Sequence, residues 1–178
     1  LIGVHPFDEP DVNLAKDRAR AALARSTDLA AGAGVPQMEA PETALEGLLS
    51  RVGDGDYLAL AAFLPETDDL TEAFGQLRSA VTSRTGVATT FGYGPRYLHS
   101  TGQLHKGGPD SAVVLLLAAG DSPPLAIPGE PHGFDALAAA QARGDLDALL
   151  SVGRRAALAS LHDDYAKGIR RLAGSVTG

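Results

Sequence analysis

The chain has 178 residues, 44% of them hydrophobic, a net charge of -7 and neither cysteine nor tryptophan. That length supports one substantial core, and the acidic balance, with a sequence pI of about 5.1, excludes the Lys/Arg surplus that binding to nucleic-acid phosphates requires. The absence of cysteine removes disulfides and thiolate metal sites and suits the cytoplasm, and the longest apolar run, residues 112–119, falls far short of the roughly 20 residues of a membrane helix, so neither nucleic acid nor membrane is expected as a partner.

Residues 1–4 read as a short buried strand, and a chain that opens in this way on Leu1 rather than Met is expected to start inside a longer reading frame or to have been trimmed. Pro6, Asp8 and Pro10 make a turn that Asp8 or Glu9 caps. Val12, Ala15, Ala19, Ala22 and Leu23 then recur at helical spacing through Arg25. Residues 26–41, with Gly32, Gly34, Pro36 and Pro41, read as a connector, dividing the chain into regions 1–40 and 41–178. In the second region a helix is predicted over 42–52, a strand over 56–64, a helix over 68–84 with Leu70, Phe74, Leu77 and Val81 on one face, and a strand over 87–91. Residues 97–106 fit a helix or a tight loop. An apolar strand over 111–118, helices over 134–143 and 145–152, a strand over 155–161 and a helix over 163–172 complete the pattern. Strands that lack a polar face and alternate with helices predict an α/β fold, a mainly parallel sheet covered by helices on both faces. Ligands of such sheets bind at the carboxyl ends of the strands, where residues 6–16 and 92–108 are both expected.

The second of these segments is the densest in chemistry. No Asp or Glu occurs between Gly86 and Pro109, while His99, Ser100, Thr101, Gln103, His105 and Lys106 crowd together. Such a donor-rich, locally cationic patch suits an anionic small molecule. His99 and His105 stand six apart, not at the i, i+4 spacing of helical metal ligands, and no HExxH-type motif is present, so no metal is expected. Either imidazole can act as an acid or base, or serve as a hydrogen-bonded structural histidine. Ser100, Thr101 and the Gly102 amide could receive a phosphate if they opened a helix. Lys16, two helical turns beyond Asp8, either reaches a bound anion or pairs with Glu9 or Asp11 at the surface. Lys106-Gly107-Gly108 lacks the flanking residues of a Walker loop, and Tyr97 stands where the third glycine after Gly92 and Gly94 would be needed, so no nucleotide cofactor is implied. Residues 127–131 read as an ordered turn, and Asp163 and Asp164 as the first turn of the last helix.

Two segments together resemble a known family. Phe7-Asp8-Glu9-Pro10-Asp11-Val12-Asn13-Leu14-Ala15-Lys16 is similar to the signature F-D-Q-x-G-V-E-x-x-K of glucose-6-phosphate isomerases, matching at Phe7, Asp8, Val12 and Lys16, with Glu9, Asp11 and Asn13 replacing the family's Gln, Gly and Glu. Leu98-His99-Ser100-Thr101-Gly102-Gln103 resembles the L-H-S-x-G-Q run of short bacterial isomerases. The longer stretch 94–109, with Ile127-Pro128-Gly129-Glu130-Pro131 after it, looks like the C-terminal end of bacterial transaldolase/glucose-6-phosphate isomerase fusions.

The resemblance implies a sugar-isomerase (SIS) type three-layer sandwich. Residues 1–40 would be the end of the SIS domain and 41–178 a C-terminal α/β region packed on it. It also implies aldose-ketose isomerisation of glucose 6-phosphate and fructose 6-phosphate, a step of glycolysis and gluconeogenesis, without metal or cofactor. In that family a His and a Lys assist ring opening, a Glu moves the proton between C1 and C2 through an enediol, and an Arg stabilises the oxyanion. Lys16 and His99 then become the catalytic candidates, and Glu9, Ser100, Thr101 and Gln103 the substrate-binding ones. No Glu accompanies the second segment, so the base lies elsewhere in the chain or outside it. The resemblance further implies an upstream isomerase domain, and allows a fused transaldolase domain and a homo-oligomer. The alternative is a non-catalytic module for sugar-phosphate binding or subunit packing.

Overall fold

The computed structural model describes residues 10–28, 38–120 and 122–177. Four strands, β1 (Tyr57–Phe63), β2 (Ala88–Tyr93), β3 (Ala112–Ala119) and β4 (Arg155–Leu161), pair in parallel in the order β2-β1-β3-β4. The helices among the described residues are α1 (Pro10–Asp28), α2 (Pro41–Leu49), α3 (Asp68–Thr85), α4 (Arg96–Gly107), α5 (Phe134–Ser151) and α6 (Tyr165–Thr177). The expected parallel α/β sheet is the observed one.

The central strands β1 and β3 are buried almost throughout, which is why their sequences run apolar without alternation. Leu58, Leu60, Val113, Leu115 and Leu117 point into a core with Leu45 and Leu48 of α2, Phe74 and Leu77 of α3, and Ile169 of α6. The intervening residues Ala59, Ala61, Val114 and Leu116 form a second core with Leu98 of α4 and Leu146 and Leu149 of α5. Each fully buried leucine contributes roughly 1.5–3 kcal/mol of transfer free energy. The two cores place α2, α3 and α6 on one face of the sheet and α4 and α5 on the other. Helix α1 packs outside that second layer, mainly on α5 and also on α4.

Several elements differ in extent from the sequence expectation. The helices predicted over 134–143 and 145–152 are one continuous α5. Gly144, which interrupts the pattern, is the point where α1 comes closest: a Cβ there would stand 2.5 Å from Ala19 N and 2.9 Å from the Ala15 carbonyl oxygen. The segment 97–106 is helical, and α4 begins directly after the cis Gly94–Pro95 bond. Its first turn lies so close to β2 that a Cβ at Gly92 would meet the Tyr97 ring at 2.3 Å. Helix α6 starts at Tyr165, so Asp163 and Asp164 precede it: Asp163 has φ 59 and Asp164 caps the helix by accepting the Lys167 N–H at 3.0 Å. Residues 127–131 do form a turn, in which Glu130 N–H donates to the Ile127 carbonyl at 3.0 Å. Helix α1 runs on to Asp28, past the expected start of the connector. The strand predicted over 1–4, the turn over 6–9 and most of the connector lie outside the described residues.

Helix α4 is held differently from its neighbours. Arg154, just before β4, donates to the carbonyls of His105 at 3.0 Å, Lys106 at 2.9 Å and Gly108, and pairs with Asp110 at 3.1 Å. A single guanidinium thus satisfies carbonyls that the helix end leaves without intrahelical donors.

Gly144→Leu is expected to push α1 off α5 while leaving both sheet cores intact, at a cost of about 1–3 kcal/mol. Limited proteolysis should then cut α1 rapidly while far-ultraviolet circular dichroism changes little. Unchanged protection of α1 would overturn this account of the close approach.

Candidate functional site

The α1–α5 contact leaves a cavity of about 230 Å³ where α4 meets the pair. Ala15, Lys16, Ala19, Arg20 and Leu23 line it from α1, Leu98, His99 and Lys106 from α4 with Pro95 just before it, and Leu137, Gln141 and Asp145 from α5. The spacing explains the set, because Leu137, Gln141 and Asp145 recur every fourth residue and share one helix face. The volume lies below the ~300–1,000 Å³ of pockets for drug-sized ligands, which restricts the occupant to a small molecule. The cavity lies in the helical layer, not in the crevice between β1 and β3 that a doubly wound sheet commonly uses. Pro95 and His99 nevertheless stand near the carboxyl end of β2.

The cavity is polar at its inner end. Lys106 Nζ donates to Asp145 Oδ1 at 2.6 Å, with side chains only 1% and 8% exposed. Burial raises the Asp145 carboxyl above its ordinary range, against the charge and hydrogen bond of Lys106 and a smaller opposing field from His99. Lys16 and His99 are exposed, and Arg20 makes an exposed ion pair with Asp17 at 3.0 Å, a contact of little strength. Among the described lining residues, Lys16, Arg20 and Lys106 stand against the one carboxylate of Asp145, which makes this a cationic site on an acidic protein. The start of α4 adds to this, having no side-chain cap and no acidic residue in its first turn, so its dipole also favours an anion.

The sequence candidates divide clearly. Lys16 and His99, selected by separate motifs, line the same cavity. Glu9 lies outside the described residues, as does the side chain of Ser100, whose backbone belongs to α4. Thr101 is half-buried and its hydroxyl donates to the Tyr97 carbonyl at 2.8 Å. Gln103, also half-buried on α4, is not among the lining residues. Ser100, Thr101 and Gly102 do not open a helix: α4 begins at Arg96, so their amides serve intrahelical bonds and the expected phosphate nest does not form there. His105 belongs to the core. Its Nδ1 lies 2.7 Å from the Tyr57 hydroxyl, with the rings of Tyr57 and Tyr97 each 5.7 Å away.

Sequence reasoning missed Arg20, Lys106 and Asp145 as parts of one site. Arg20 was discoverable, one turn beyond Lys16 on the same helix face. The Lys106–Asp145 pair joins two helices and leaves no local pattern.

No family model and no curated protein matches the chain. Its fold is similar to the crystal structure of hypothetical protein TT0462 from Thermus thermophilus, with a TM-score of 0.60 and 19% identity over 89% of this chain and 43% of that one. The chain therefore spans less than half the length of that protein, and the likeness is one of fold. No described helix is long and apolar enough to cross a membrane.

Burial, reinforced by the Lys106 charge, lowers the His105 pKa from 6.5 to about 4. Between those values the unfolded chain binds a proton that the folded chain does not. The contribution of His105 is therefore fully present above pH 6.5 and is lost as the pH falls toward 4, by about 3 kcal/mol. The raised carboxyl of Asp145 acts in the opposite sense. Urea unfolding from pH 7 to 4 should show a steeper stability loss for wild type than for His105→Gln, whereas parallel curves would exclude the effect.

Proposed function

We propose that this chain carries the sugar-phosphate site of a glucose-6-phosphate isomerase, interconverting glucose 6-phosphate and fructose 6-phosphate in the cytoplasm. The observation that carries this reading is the convergence of Lys16 and His99 on one cationic cavity, although different motifs selected them and they stand far apart in the sequence. The phosphate is assigned to the mouth, where Lys16, Arg20 and the start of α4 offer positive charge. Ring opening moves a proton from the anomeric hydroxyl to the ring oxygen, work for which an imidazole and an ammonium on opposite walls are suited. The buried Lys106 supplies charge for the enediolate oxygen, where a fixed cation in a poorly hydrated site acts most strongly. An upstream isomerase domain, a fused transaldolase domain and self-association belong to this proposal as partners.

One observation favours a non-catalytic sugar-phosphate-binding module instead: among the described lining residues the carboxylate of Asp145 stands alone, and Lys106 is bonded to it. A coupled assay of fructose 6-phosphate conversion separates the two. With the proposed upstream isomerase domain supplied, turnover is expected and should fall about 100-fold or more in Lys16→Ala and in His99→Ala. Variants as active as wild type would sink the assignment. Binding of fructose 6-phosphate without turnover would select the module.

A further inference from the structure

We infer that the cavity between α1, α4 and α5 also takes an organic phosphate with a compact hydrocarbon body, and that this ligand and a sugar phosphate exclude one another. The inference goes beyond the isomerase reading and shares with it only the cationic mouth. Much of the wall is apolar. Each of the three helices contributes a leucine, Leu23, Leu98 and Leu137, and Ala15, Ala19 and Pro95 complete the apolar part of the lining. The polar part has few groups left for a sugar. Lys106 and Asp145 bond each other at 2.6 Å, and Lys16 and Arg20 stand exposed on α1. Gln141 remains as a half-buried, uncharged polar side chain on the wall.

A hexose carries an oxygen on every carbon, and each hydroxyl buried without a partner costs more than a hydrogen bond returns. A hydrocarbon body makes no such demand and gains free energy from every apolar contact. The size agrees. An apolar cavity of about 150 Å³ holds benzene, so the cavity of about 230 Å³ here accepts a six-carbon body with its head at the mouth. The charges set the orientation: Lys16, Arg20 and the uncapped start of α4, whose first turn carries no acid, hold the phosphate outside, and the leucines draw the body inward. Inorganic phosphate meets only exposed, screened charge, so the hydrocarbon body carries the gain in affinity. A sugar phosphate places the same group at the same mouth, which makes the two ligands competitors.

Phenyl phosphate is the probe. Its dissociation constant for the full chain, from NMR titration, is compared with those of inorganic phosphate and fructose 6-phosphate, for wild type, Leu137→Asn and Lys16→Ala. Phenyl phosphate should bind wild type at least about tenfold more tightly than inorganic phosphate. Leu137→Asn, at a half-buried position in the first turn of α5, should cut that advantage to about threefold or less and leave inorganic phosphate unchanged. Lys16→Ala should weaken both by the same factor, about threefold. Should the Leu137 variant fail to fold, the wild-type ratio of the two constants decides alone. Phenyl phosphate that binds no more tightly than inorganic phosphate overturns the inference, as does an advantage that Leu137→Asn leaves intact, because the ring then lies elsewhere. Fructose 6-phosphate separates the two readings. Displacement of bound fructose 6-phosphate by phenyl phosphate supports both ligands in one cavity. Fructose 6-phosphate that binds where phenyl phosphate has no advantage leaves the isomerase reading standing and removes this one. The reverse result, phenyl phosphate bound with its advantage and no binding of fructose 6-phosphate, keeps the apolar site and removes the isomerase reading.

Discussion

Helix α4 is held by directional polar bonds, and the geometry of the cavity depends on them. Leu98 is its only large apolar residue in the buried core, whereas α3 contributes Leu70, Phe74, Leu77 and Val81 to the opposite face. What fixes α4 is the Arg154 guanidinium on its last carbonyls, the His105–Tyr57 hydrogen bond to β1 and the Lys106–Asp145 ion pair to α5. Apolar contact tolerates sliding and rotation to a degree that these bonds do not. His99 stands on the same helix two turns before Lys106, so its place at the cavity mouth is set by these anchors.

A buried ion pair is an expensive anchor. Desolvating two charges costs several kcal/mol each and can offset their attraction, so apolar residues of similar volume often stabilise as well or better. His105 beside it is held neutral by burial, and its Nε2 has no hydrogen-bond partner among the described residues. Side by side on α4, these groups place polar chemistry where leucines would give more stability. Cost of this kind concentrates at sites whose chemistry requires a fixed charge, which is the physical reason to look for function between α4 and α5.

Most of the fold was legible in the sequence because burial leaves periodic signals. The apolar runs of β1 and β3 and the helical spacing of Leu70, Phe74, Leu77 and Val81 each report a local environment repeated over several residues. The failures lie where a residue answers to a distant partner. Gly144 reads as a break because the sequence does not show that an α1 backbone will lie against it. The segment around Ser100 and Thr101 fitted a helix or a tight loop, and its polar side chains did not show that a helix begun at Arg96 would already be one turn old there. Half of the candidate site was visible for a related reason: Lys16 and His99 belong to contiguous motifs, whereas Lys106 and Asp145 acquire meaning only through contact with each other.

The charge distribution links that pair to recognition. A protein of net charge -7 repels small anions on average, so a site for a phosphorylated molecule needs a local field that reverses the sign at short range. Within a Debye length of about 8 Å at physiological ionic strength, nearby charges outweigh the remote acidic surface. Lys16 and Arg20 are spaced to share one face of α1, and the uncapped start of α4 adds its dipole from across the cavity. Deeper in, Asp145 offsets the Lys106 charge, so the attraction is strongest at the mouth. A ligand with an anionic end and a polar neutral end is therefore oriented on entry, with its phosphate held outside and its hydroxyls or carbonyl delivered to the acid–base groups. Inorganic phosphate would gain only the first interaction and an unphosphorylated sugar only the second, so the charge gradient by itself selects for molecules that carry both.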